Sequence, residues 1–527
     1  MAQYLALTLG GVMRYDYIIV GAGSAGGALA GRLAERTTQS ILLLEAGPDY
    51  RTSETPPEIR QANALVLEDQ SRFGDYWWNP PVKHTPSQAV STYERGKGVG
   101  GCSAVNCQVA IRGIAEDYDA WSAEGCRGWD SQAVLSSFVS LEHDLDYPES
   151  PYHGAEGPLP ISRPGREHFG PIDALLATAA VDLGYGWADD HNAPGTSGVS
   201  PAAMNSRDGL RFSTNDAFLD PVRNAGNLTV MGGVTTEEIV FEGRRATGVR
   251  CRTREGRVTF EGHEIILCAG VFNSPTLLLR SGIGPTAQLE GLGIDVVHDL
   301  SGVGENLSDH PALFLRVALG KPGGRDIGQR YPVGCLTRFS STSSSAGPND
   351  MGFGSFNIWG PDDEGCSSGS IFVTLFQSFS RGRLRLRSND RDVEPEIQFD
   401  MLSDSRDLER MHEGIHRLLE IGEHPAIADV GETIGVSGEI ARLRDLPAPD
   451  RLESWMLEHV STIGHACGSC RMGAVDDPQS VVDSECRVIG TEGLRIVDAS
   501  VIPAVPRANN HLTCVMLAEH MVAGGFL

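Results

Sequence analysis

Two histidines near the C-terminus are the residues best suited to acid–base chemistry. His465 lies in the segment Gly464–Gly473, where small neighbours let another group come close, and His511 directly precedes a predicted helix, Leu512–Ala523. Imidazole exchanges a proton near neutral pH, so such a side chain can serve as a general base. A single histidine is more often a structural hydrogen-bonding residue, and both interpretations stay open at this point.

The elements that must position these residues begin with a glycine-rich turn near the N-terminus. Tyr17–Val20 is a short apolar run typical of a buried parallel strand, and Ala25–Glu35 continues as a helix of small residues. Between them stands a G-x-G-x-x-G pattern, whose glycines allow a tight turn, the approach of a pyrophosphate and the packing of helix on strand. The predicted cofactor contacts in this turn are Gly21, Gly23, Ser24, Ala25 and Gly26.

A carboxylate after the second predicted strand completes a dinucleotide-binding fingerprint. Strand Ser40–Leu44 leads into Glu45 and Ala46, both predicted cofactor contacts, about 20 residues past the glycines. The Glu45 carboxylate would accept hydrogen bonds from ribose hydroxyls and repel a 2′-phosphate. These features predict a dinucleotide site, with a structural βαβ turn as the alternative, and by themselves they do not separate NAD from FAD.

Length and composition narrow the class of protein. A chain of 527 residues exceeds one ordinary core, so two domains are expected, and its 40% hydrophobic and 21% charged content is that of a soluble globular protein. The net charge of −26 argues against nucleic acid or an anionic membrane as a partner. No apolar run is long enough to span a bilayer, and the oligomeric state stays open.

The cysteines and the N-terminus indicate a cytoplasmic protein. Eleven cysteines without a regular framework favour reduced thiols over a disulfide scaffold, and the single C-x-x-C at Cys467 and Cys470 lacks the second pair of a zinc site, so no metal is predicted. The short apolar piece Tyr4–Leu9 has no basic region before it, which argues against a secretory signal. Either Met1 or Met13 could be the true start.

A second glycine-rich stretch, Arg95–Asn106, suggests a long ligand held at two places, because so many glycines are costly unless backbone must approach something closely. This stretch, extended from Glu94 to Gly113, resembles the first signature of the glucose–methanol–choline (GMC) oxidoreductases, which bind FAD. Ala269–Pro285 is similar to their second signature. With the N-terminal fingerprint and the C-terminal histidine block, the resemblance covers almost the whole chain.

The resemblance implies the cofactor and further contacts to it. FAD is expected, with backbone groups of Val234 at the adenine edge. Some family members attach FAD covalently through a histidine in the first signature, but Val105 stands at that position here, so non-covalent FAD is expected. The contacts predicted in addition to those of the first turn and second strand are Gly98, Gly101, Cys102, Asn106, Val234, Asp498 and Ala499.

The resemblance also implies a reaction. His465 matches the family's catalytic histidine and His511 matches its partner position, which is histidine or asparagine. His465 would take the hydroxyl proton of a primary alcohol while hydride passes to flavin N5, and His511 would hold the alcohol oxygen. The product would be an aldehyde, with oxygen or another electron acceptor reoxidising the flavin.

The position before the catalytic histidine bears on the substrate. Choline-oxidising members can carry an aromatic residue there, useful for a quaternary ammonium, whereas Gly464 stands here, so an aryl or heteroaryl alcohol is expected. The alternatives are an aliphatic or choline-type alcohol dehydrogenase that uses an acceptor other than oxygen, and a hydroxynitrile lyase of the same family.

The predicted fold class is α/β (α+β overall), with a Rossmann-like FAD-binding domain interleaved with a substrate domain on an antiparallel sheet with helices. His310, at the crossover between the two, is predicted to be a structural hydrogen-bonding residue, with a functional role as the alternative. The predicted segments are 14–160, 215–310 and 461–527 for the FAD-binding domain, and 161–214 and 311–460 for the substrate domain.

Overall fold

A computed structural model of the chain describes residues 14–60, 74–320, 331–359 and 367–527. The interpretations placed on Tyr4–Leu9 and on a start at Met13 lie outside these residues. Within them, no helix is long and apolar enough to cross a bilayer.

The first large sheet is built around the predicted N-terminal strand. Ile18, Ile19 and all of Ile41–Leu44 are buried, which explains why these strands are continuous apolar runs in the sequence. The hairpin strands Arg245–Thr253 and Thr235–Glu242 extend the sheet in antiparallel fashion. Its five parallel strands lie in the order Leu228–Met231, Ile41–Leu44, Arg14–Val20, Gly256–Leu267 and Leu494–Ile496.

The second large sheet is entirely antiparallel. Ser461–Thr462 pairs with the start of Pro311–Leu319, so the segment that carries His465 leaves directly from this sheet. Helix Ser405–Gly422 packs on the sheet, with Gly414 against the side chain of Val373. The other strands follow in the order Gly431–Val436, Pro311–Leu319, Ser368–Leu375, Met351–Phe356, Cys335–Phe339 and Gly198–Pro201.

The helices, and short strands that form small sheets of their own, complete the fold. The α-helices are Ser24–Arg36, Pro57–Arg60, Cys102–Val105, Ala115–Ala123, Ser131–Leu141, Pro171–Asp182, Asn273–Arg280, Thr286–Gly291, Ser405–Gly422, Ile427–Val430, Pro449–His459 and Asn510–Ala523. The short strands are Trp77–Trp78, Pro81–Lys83, Ser91–Thr92, Arg95–Gly96, Glu142–Asp144, Leu159–Ile161, Ser206–Arg207, Leu210–Arg211, Ile283–Gly284, His298–Asp299, Arg383–Arg385 and Glu396–Gln398.

The predicted fold class is confirmed. A Rossmann-like parallel core and an antiparallel sheet are both present, and their strands alternate along the chain. The first sheet takes strands from the beginning, the middle and the end of the chain, and the second takes strands from between them. This alternation is what an interleaved pair of domains requires, and the five segment boundaries themselves stay a prediction.

Candidate active site

One long cavity of about 1030 Å³ runs between the two sheets. At one end it opens on the carboxyl ends of the parallel strands, where ligands bind in open α/β sheets, and at the other it reaches His465 and the aromatic face of the antiparallel sheet. Both glycine-rich segments and both predicted catalytic histidines line this cavity.

The two glycine-rich segments touch each other without side chains between them. A Cβ atom added to Gly101, whose φ is +50°, would lie 2.6 Å from the Cα of Gly23. A Cβ on Gly21 would lie 2.4 Å from the carbonyl oxygen of Cys268. Only glycine fits at these positions, so the backbone itself forms this wall of the cavity.

Glu45 joins the two glycine-rich segments through hydrogen bonds. Its Oε2 accepts from the backbone N–H of Ala22 at 2.9 Å, and its Oε1 accepts from those of Gly47 at 2.8 Å and Gly98 at 2.9 Å. A carboxylate has further lone pairs, and Glu45 lines the cavity, so it can also accept from a ligand hydroxyl. The sequence pattern had suggested only the second of these roles.

Most predicted cofactor contacts lie on the cavity wall. Gly26 and Gly98 are not part of this wall, because Gly26 packs helix against strand and Gly98 donates to Glu45 from behind the wall. The predicted contacts that line the cavity are Gly21, Gly23, Ser24, Ala25, Glu45, Ala46, Gly101, Cys102, Asn106, Val234, Asp498 and Ala499.

Two of these wall residues are already engaged with the protein. The backbone N–H of Val234 donates to the carbonyl oxygen of Glu45 at 2.9 Å, so that N–H is not free for an adenine ring. Asp498 accepts from the backbone N–H of Gly270 and the hydroxyl of Ser274 through Oδ2, and from the N–H of Ser500 through Oδ1. Asp498 thus fixes two loops at the ends of neighbouring parallel strands.

His465 is held at four points. Its backbone N–H donates to Oδ1 of the buried Asp309 at 2.9 Å, and its carbonyl oxygen accepts from Asn510 at 2.6 Å. In the ring, Nε2 lies 2.9 Å from Nδ2 of Asn509, and Nδ1 lies 2.9 Å from Nδ1 of His310. Burial, followed by the neighbouring His310 and Arg95, holds the pKa of His465 well below its ordinary value. The imidazole is therefore neutral and able to accept a proton.

The ring of His511 is hydrogen-bonded to the N-terminal glycine-rich turn, and the ring of His465 is hydrogen-bonded to Asn509. His511 Nδ1 lies 3.0 Å from the hydroxyl of Ser24, in the N-terminal glycine-rich turn, and Asn509 occupies the place beside His465 that was predicted for His511. The helix Asn510–Ala523 begins between the two residues, and about 100° of rotation per helical residue turns their side chains to different sides. Asn509 is therefore the residue of the two whose side chain is hydrogen-bonded to the His465 ring.

Two further residues of the site are Asp309, which the sequence does not predict, and His310, which it predicts to be structural. The carboxylate of Asp309 accepts hydrogen bonds from the hydroxyls of Tyr93, at 2.6 Å, and Thr462, and from the backbone N–H groups of His310 and His465. Asp309 lies next to His310 in a segment that the sequence predicts only as a domain crossover. Neither residue belongs to a spacing pattern that marks an active site.

The wall opposite the glycine-rich segments is apolar. The rings of Phe314 and Phe372 lie 5.4 Å apart, and those of Phe356 and Phe372 lie 5.5 Å apart. Among the described residues that line the cavity, those on the strands of the antiparallel sheet or within four positions of a strand end carry no charge, whereas Arg391, Asp392 and Glu394 lie farther along the connection from Ser368–Leu375 to Gly431–Val436. The uncharged residues on or beside the six longer strands are Phe314, Val333, Leu336, Phe356, Ile358, Trp359, Phe372 and Phe376.

Comparisons with known proteins agree with this arrangement. The sequence profiles of the N- and C-terminal regions of GMC oxidoreductase match residues 15–312 and 378–518. The chain belongs to the GMC oxidoreductase family. Members of this family bind FAD and act on CH–OH groups, so this GMC oxidoreductase is an FAD-dependent enzyme acting on alcohols.

Individual relatives cover nearly the whole chain. The 5-(hydroxymethyl)furfural oxidase of Methylovorus sp. (strain MP688) is 35% identical, over 96% of this chain and 97% of its own. The oxygen-dependent choline dehydrogenase of Pectobacterium carotovorum subsp. carotovorum (strain PC1) is also 35% identical, over 96% and 94%. The crystal structure of pyridoxine 4-oxidase from Mesorbium loti superposes with a TM-score of 0.87 at 29% identity, covering 97% of this chain and 99% of that one.

The residues of the cavity fit FAD. Gly21, Gly23 and Gly101 offer backbone where a side chain would block a pyrophosphate. The buried Nε2 of His511 has no hydrogen-bond partner in the described protein, and a polar group of the cofactor can satisfy it. Val105, buried in this wall, has no nucleophilic atom for a covalent link.

A buried group of metal-type ligands lies elsewhere. Glu142, Asp144 and His153 are close enough to hold an ion, but Arg112 pairs with Glu142 and Arg163 pairs with Asp144. These guanidinium groups already supply the positive charge that a metal would provide.

Proposed function

We propose that this GMC oxidoreductase oxidises a primary aryl or heteroaryl alcohol to the aldehyde. The observation that supports this most is the uncharged aromatic wall facing the pair His465 and Asn509. Phe314, Phe356 and Phe372 form a cluster that can stack on a flat ring, and aromatic pairs gain from offset or edge-to-face contact.

His465 acts as the general base in this proposal. An alcohol O–H is a very weak acid, so its proton must pass to a base within hydrogen-bond distance as hydride leaves the carbon. Burial keeps His465 neutral with a lone pair available, and the bonds to Asp309 and Asn510 fix its backbone. FAD, when bound, supplies the hydride acceptor.

Asn509 holds the alcohol oxygen in this proposal. Its Nδ2 lies 2.9 Å from His465 Nε2, so an alcohol oxygen that replaces this direct hydrogen bond can reach both groups, donating its proton to the histidine and accepting a hydrogen bond from the amide. The amide bond strengthens as negative charge develops on the oxygen. Asn509 thus takes the place of His511 as the residue that holds the alcohol oxygen. His511 is proposed to bind the cofactor beside Ser24.

The aromatic wall also raises a second candidate, because rings can bind a quaternary ammonium and a relative at 35% identity is named a choline dehydrogenase. The guanidinium of Arg316 lies over the Trp359 ring, 5.1 Å from its centre, and already forms a cation–π contact with it. A cation placed there would face a like charge, which favours a neutral aryl alcohol such as the furan alcohol in the name of the other relative.

The test compares kcat/KM for benzyl, furfuryl and pyridinemethanol substrates with that for choline. We expect an aryl alcohol to be preferred by at least about tenfold, with His465→Gln lowering kcat by about 10²- to 10⁴-fold and the matched variant His412→Gln, on the helix Ser405–Gly422, leaving it unchanged. A preference for choline would overturn the substrate assignment. Turnover of His465→Gln near the wild-type rate would overturn the assignment of the base.

The same assays separate the remaining alternatives. Hydrogen peroxide formed in equal amount to aldehyde would identify oxygen as the electron acceptor, and reduction of a dye in its place would identify a dehydrogenase. Release of cyanide from a cyanohydrin without flavin reduction would identify a lyase and contradict the proposal.

A further inference from the structure

His310 connects the proposed base to the backbone of the loop that carries Asn509. Its Nδ1 lies 2.9 Å from Nδ1 of His465, and its Nε2 lies 3.1 Å from the carbonyl oxygen of Pro506. The side chain is completely buried, with the ring of Phe376 packed edge-on against it at 5.4 Å.

The position of each proton follows from these partners. A carbonyl oxygen only accepts, so the Nε2 of His310 must carry a hydrogen and donate it to Pro506. Burial lowers the pKa of His310 to about 3, against smaller opposite effects of the Pro506 and Phe376 carbonyls, so the ring is neutral. A neutral ring protonated at Nε2 has a lone pair at Nδ1 and accepts the hydrogen of His465 Nδ1.

Asn509 is consistent with the same assignment from the other side. If Nδ1 of His465 carries the hydrogen, its Nε2 has the lone pair and must accept, and the neighbouring group is the amide Nδ2 of Asn509, which donates. The two hydrogen bonds of the His465 ring are therefore consistent with each other: its Nδ1–H donates to Nδ1 of His310, and its Nε2 accepts from Nδ2 of Asn509.

The Pro506 carbonyl is itself rigidly placed. The next residue, Arg507, donates its backbone N–H to Asp117 at 2.8 Å and forms an ion pair with the same carboxylate. The carbonyl oxygen of Arg507 accepts from the buried Arg338 at 2.7 Å. The acceptor that sets the His310 proton is thus fixed by a buried ionic network outside the cavity.

We propose that His310 is a positioning residue that holds His465 in the tautomer with an unprotonated Nε2, whose lone pair accepts from Asn509 and can accept from a substrate hydroxyl that replaces this bond. In a Ser-His-Asp triad a carboxylate fixes the tautomer of the base through Nδ1–H, and here a neutral imidazole set by a backbone carbonyl does so. When His465 takes the substrate proton, the same Nδ1–H bond becomes charge-assisted and stabilises the cation.

This inference rests on the proposed role of His465 as base, and it has a test of its own. Histidine-selective ¹⁵N NMR of the holoenzyme reports which ring nitrogen of His465 is protonated, and the resonance is assigned from its loss in His465→Gln. We expect a protonated Nδ1 and an unprotonated Nε2. A proton on Nε2 in the wild-type enzyme would overturn the inference, whatever the variants do.

Two variants test the consequence for turnover. His310→Gln can still accept from His465 and donate to Pro506, whereas His310→Met fills the space without either bond. We expect kcat to fall about 10- to 100-fold in His310→Met with KM nearly unchanged, and the His465 resonances to change, while His310→Gln recovers most of both.

Equal kcat values and an unchanged His465 spectrum in the two variants would overturn the positioning role, and if His310→Met does not fold, the wild-type spectrum still decides. Turnover by His465→Gln would instead refute the proposed base, and the tautomer of His465 would then carry no catalytic meaning.

Discussion

Replacing Asn509 distinguishes the partner found in the structure from the one suggested by the sequence. Asn509 Nδ2 lies 2.9 Å from His465 Nε2, where it can donate to an oxygen that becomes negative. Removing one such donor lowers kcat by about 10²- to 10³-fold, or about 2.7–4 kcal/mol. We therefore expect Asn509→Ala to slow flavin reduction by that factor, with KM changing less than kcat.

Asn509→Asp should act through charge. A carboxylate at about 3 Å from the imidazole gains about 5 kcal/mol with an effective dielectric constant of ~20, worth roughly 3–4 units in the pKa of His465. The partial desolvation of the new carboxylate offsets some of this gain. The pKa of His465 should therefore rise from its lowered value, so the activity of Asn509→Asp should decline at a higher pH than that of the wild type and recover as the pH is raised.

The assay is anaerobic stopped-flow reduction of the flavin by a saturating aryl alcohol between pH 5 and pH 10. The matched comparison is His511→Ala, which removes a bond to Ser24 and not to His465. We expect His511→Ala to change the reduction rate by less than about tenfold and to weaken FAD retention. If Asn509→Ala reduces normally while His511→Ala loses activity, the assignment of Asn509 is refuted.

Three other predictions concern the glycine-rich wall, the pH dependence of His465 and the buried His153 outside the cavity. Gly101→Ala should purify with little FAD, measured by absorbance at the flavin band, because its Cβ would meet the Cα of Gly23 at 2.6 Å; full loading would contradict the geometry. Because the pKa of His465 is lowered by burial, kcat/KM should stay level as the pH falls to 6.5 and decline only below it, and a decline already complete at pH 6.5 would contradict a neutral base. His153 is buried, which lowers its pKa, but bonds to Asp190 and Glu142 outweigh this and raise it, so its stabilising contribution is complete below pH 6.5 and lost as the pH rises through the folded-state value. His153→Gln should therefore cost about 3 kcal/mol in denaturant unfolding at pH 6 and less at pH 9.5, and an equal cost at both would contradict a protonated His153.

The first sheet could be predicted from the sequence because its strands are buried on both faces. Tyr17–Val20 and Ile41–Leu44 are continuous apolar runs, and the glycine spacing between them has one dominant structural meaning. The antiparallel sheet was predicted as a class, but its strand order depends on pairings between segments far apart in sequence, which no local pattern specifies.

The partner of His465 could not be predicted from spacing alone. Asn509, Asn510 and His511 are adjacent polar residues, and which of them faces the base depends on the residue at which the last helix begins. A shift of one position rotates a side chain by about 100°. The family resemblance allows histidine or asparagine as the partner, and in the sequence His511 matches that position, whereas the helix start at Asn510 places Asn509 beside His465.

His310 was undervalued for a different reason. It lies 155 positions before His465 in the sequence, and only the pairing of Ser461–Thr462 with the start of Pro311–Leu319 brings the two rings together. A buried histidine without a local motif has no sequence signal that separates a structural role from a catalytic one. Here the structural hydrogen bonds that were expected of His310 end on the proposed base.

The most direct test of the account is the anaerobic visible spectrum of the purified enzyme during addition of benzyl, furfuryl and pyridinemethanol substrates, with choline as the comparison. The account predicts that the flavin band bleaches with an aryl alcohol at a rate at least about 10²-fold greater in the wild type than in His465→Gln. A flavin band that bleaches only with choline, or that bleaches equally in both proteins, would contradict it.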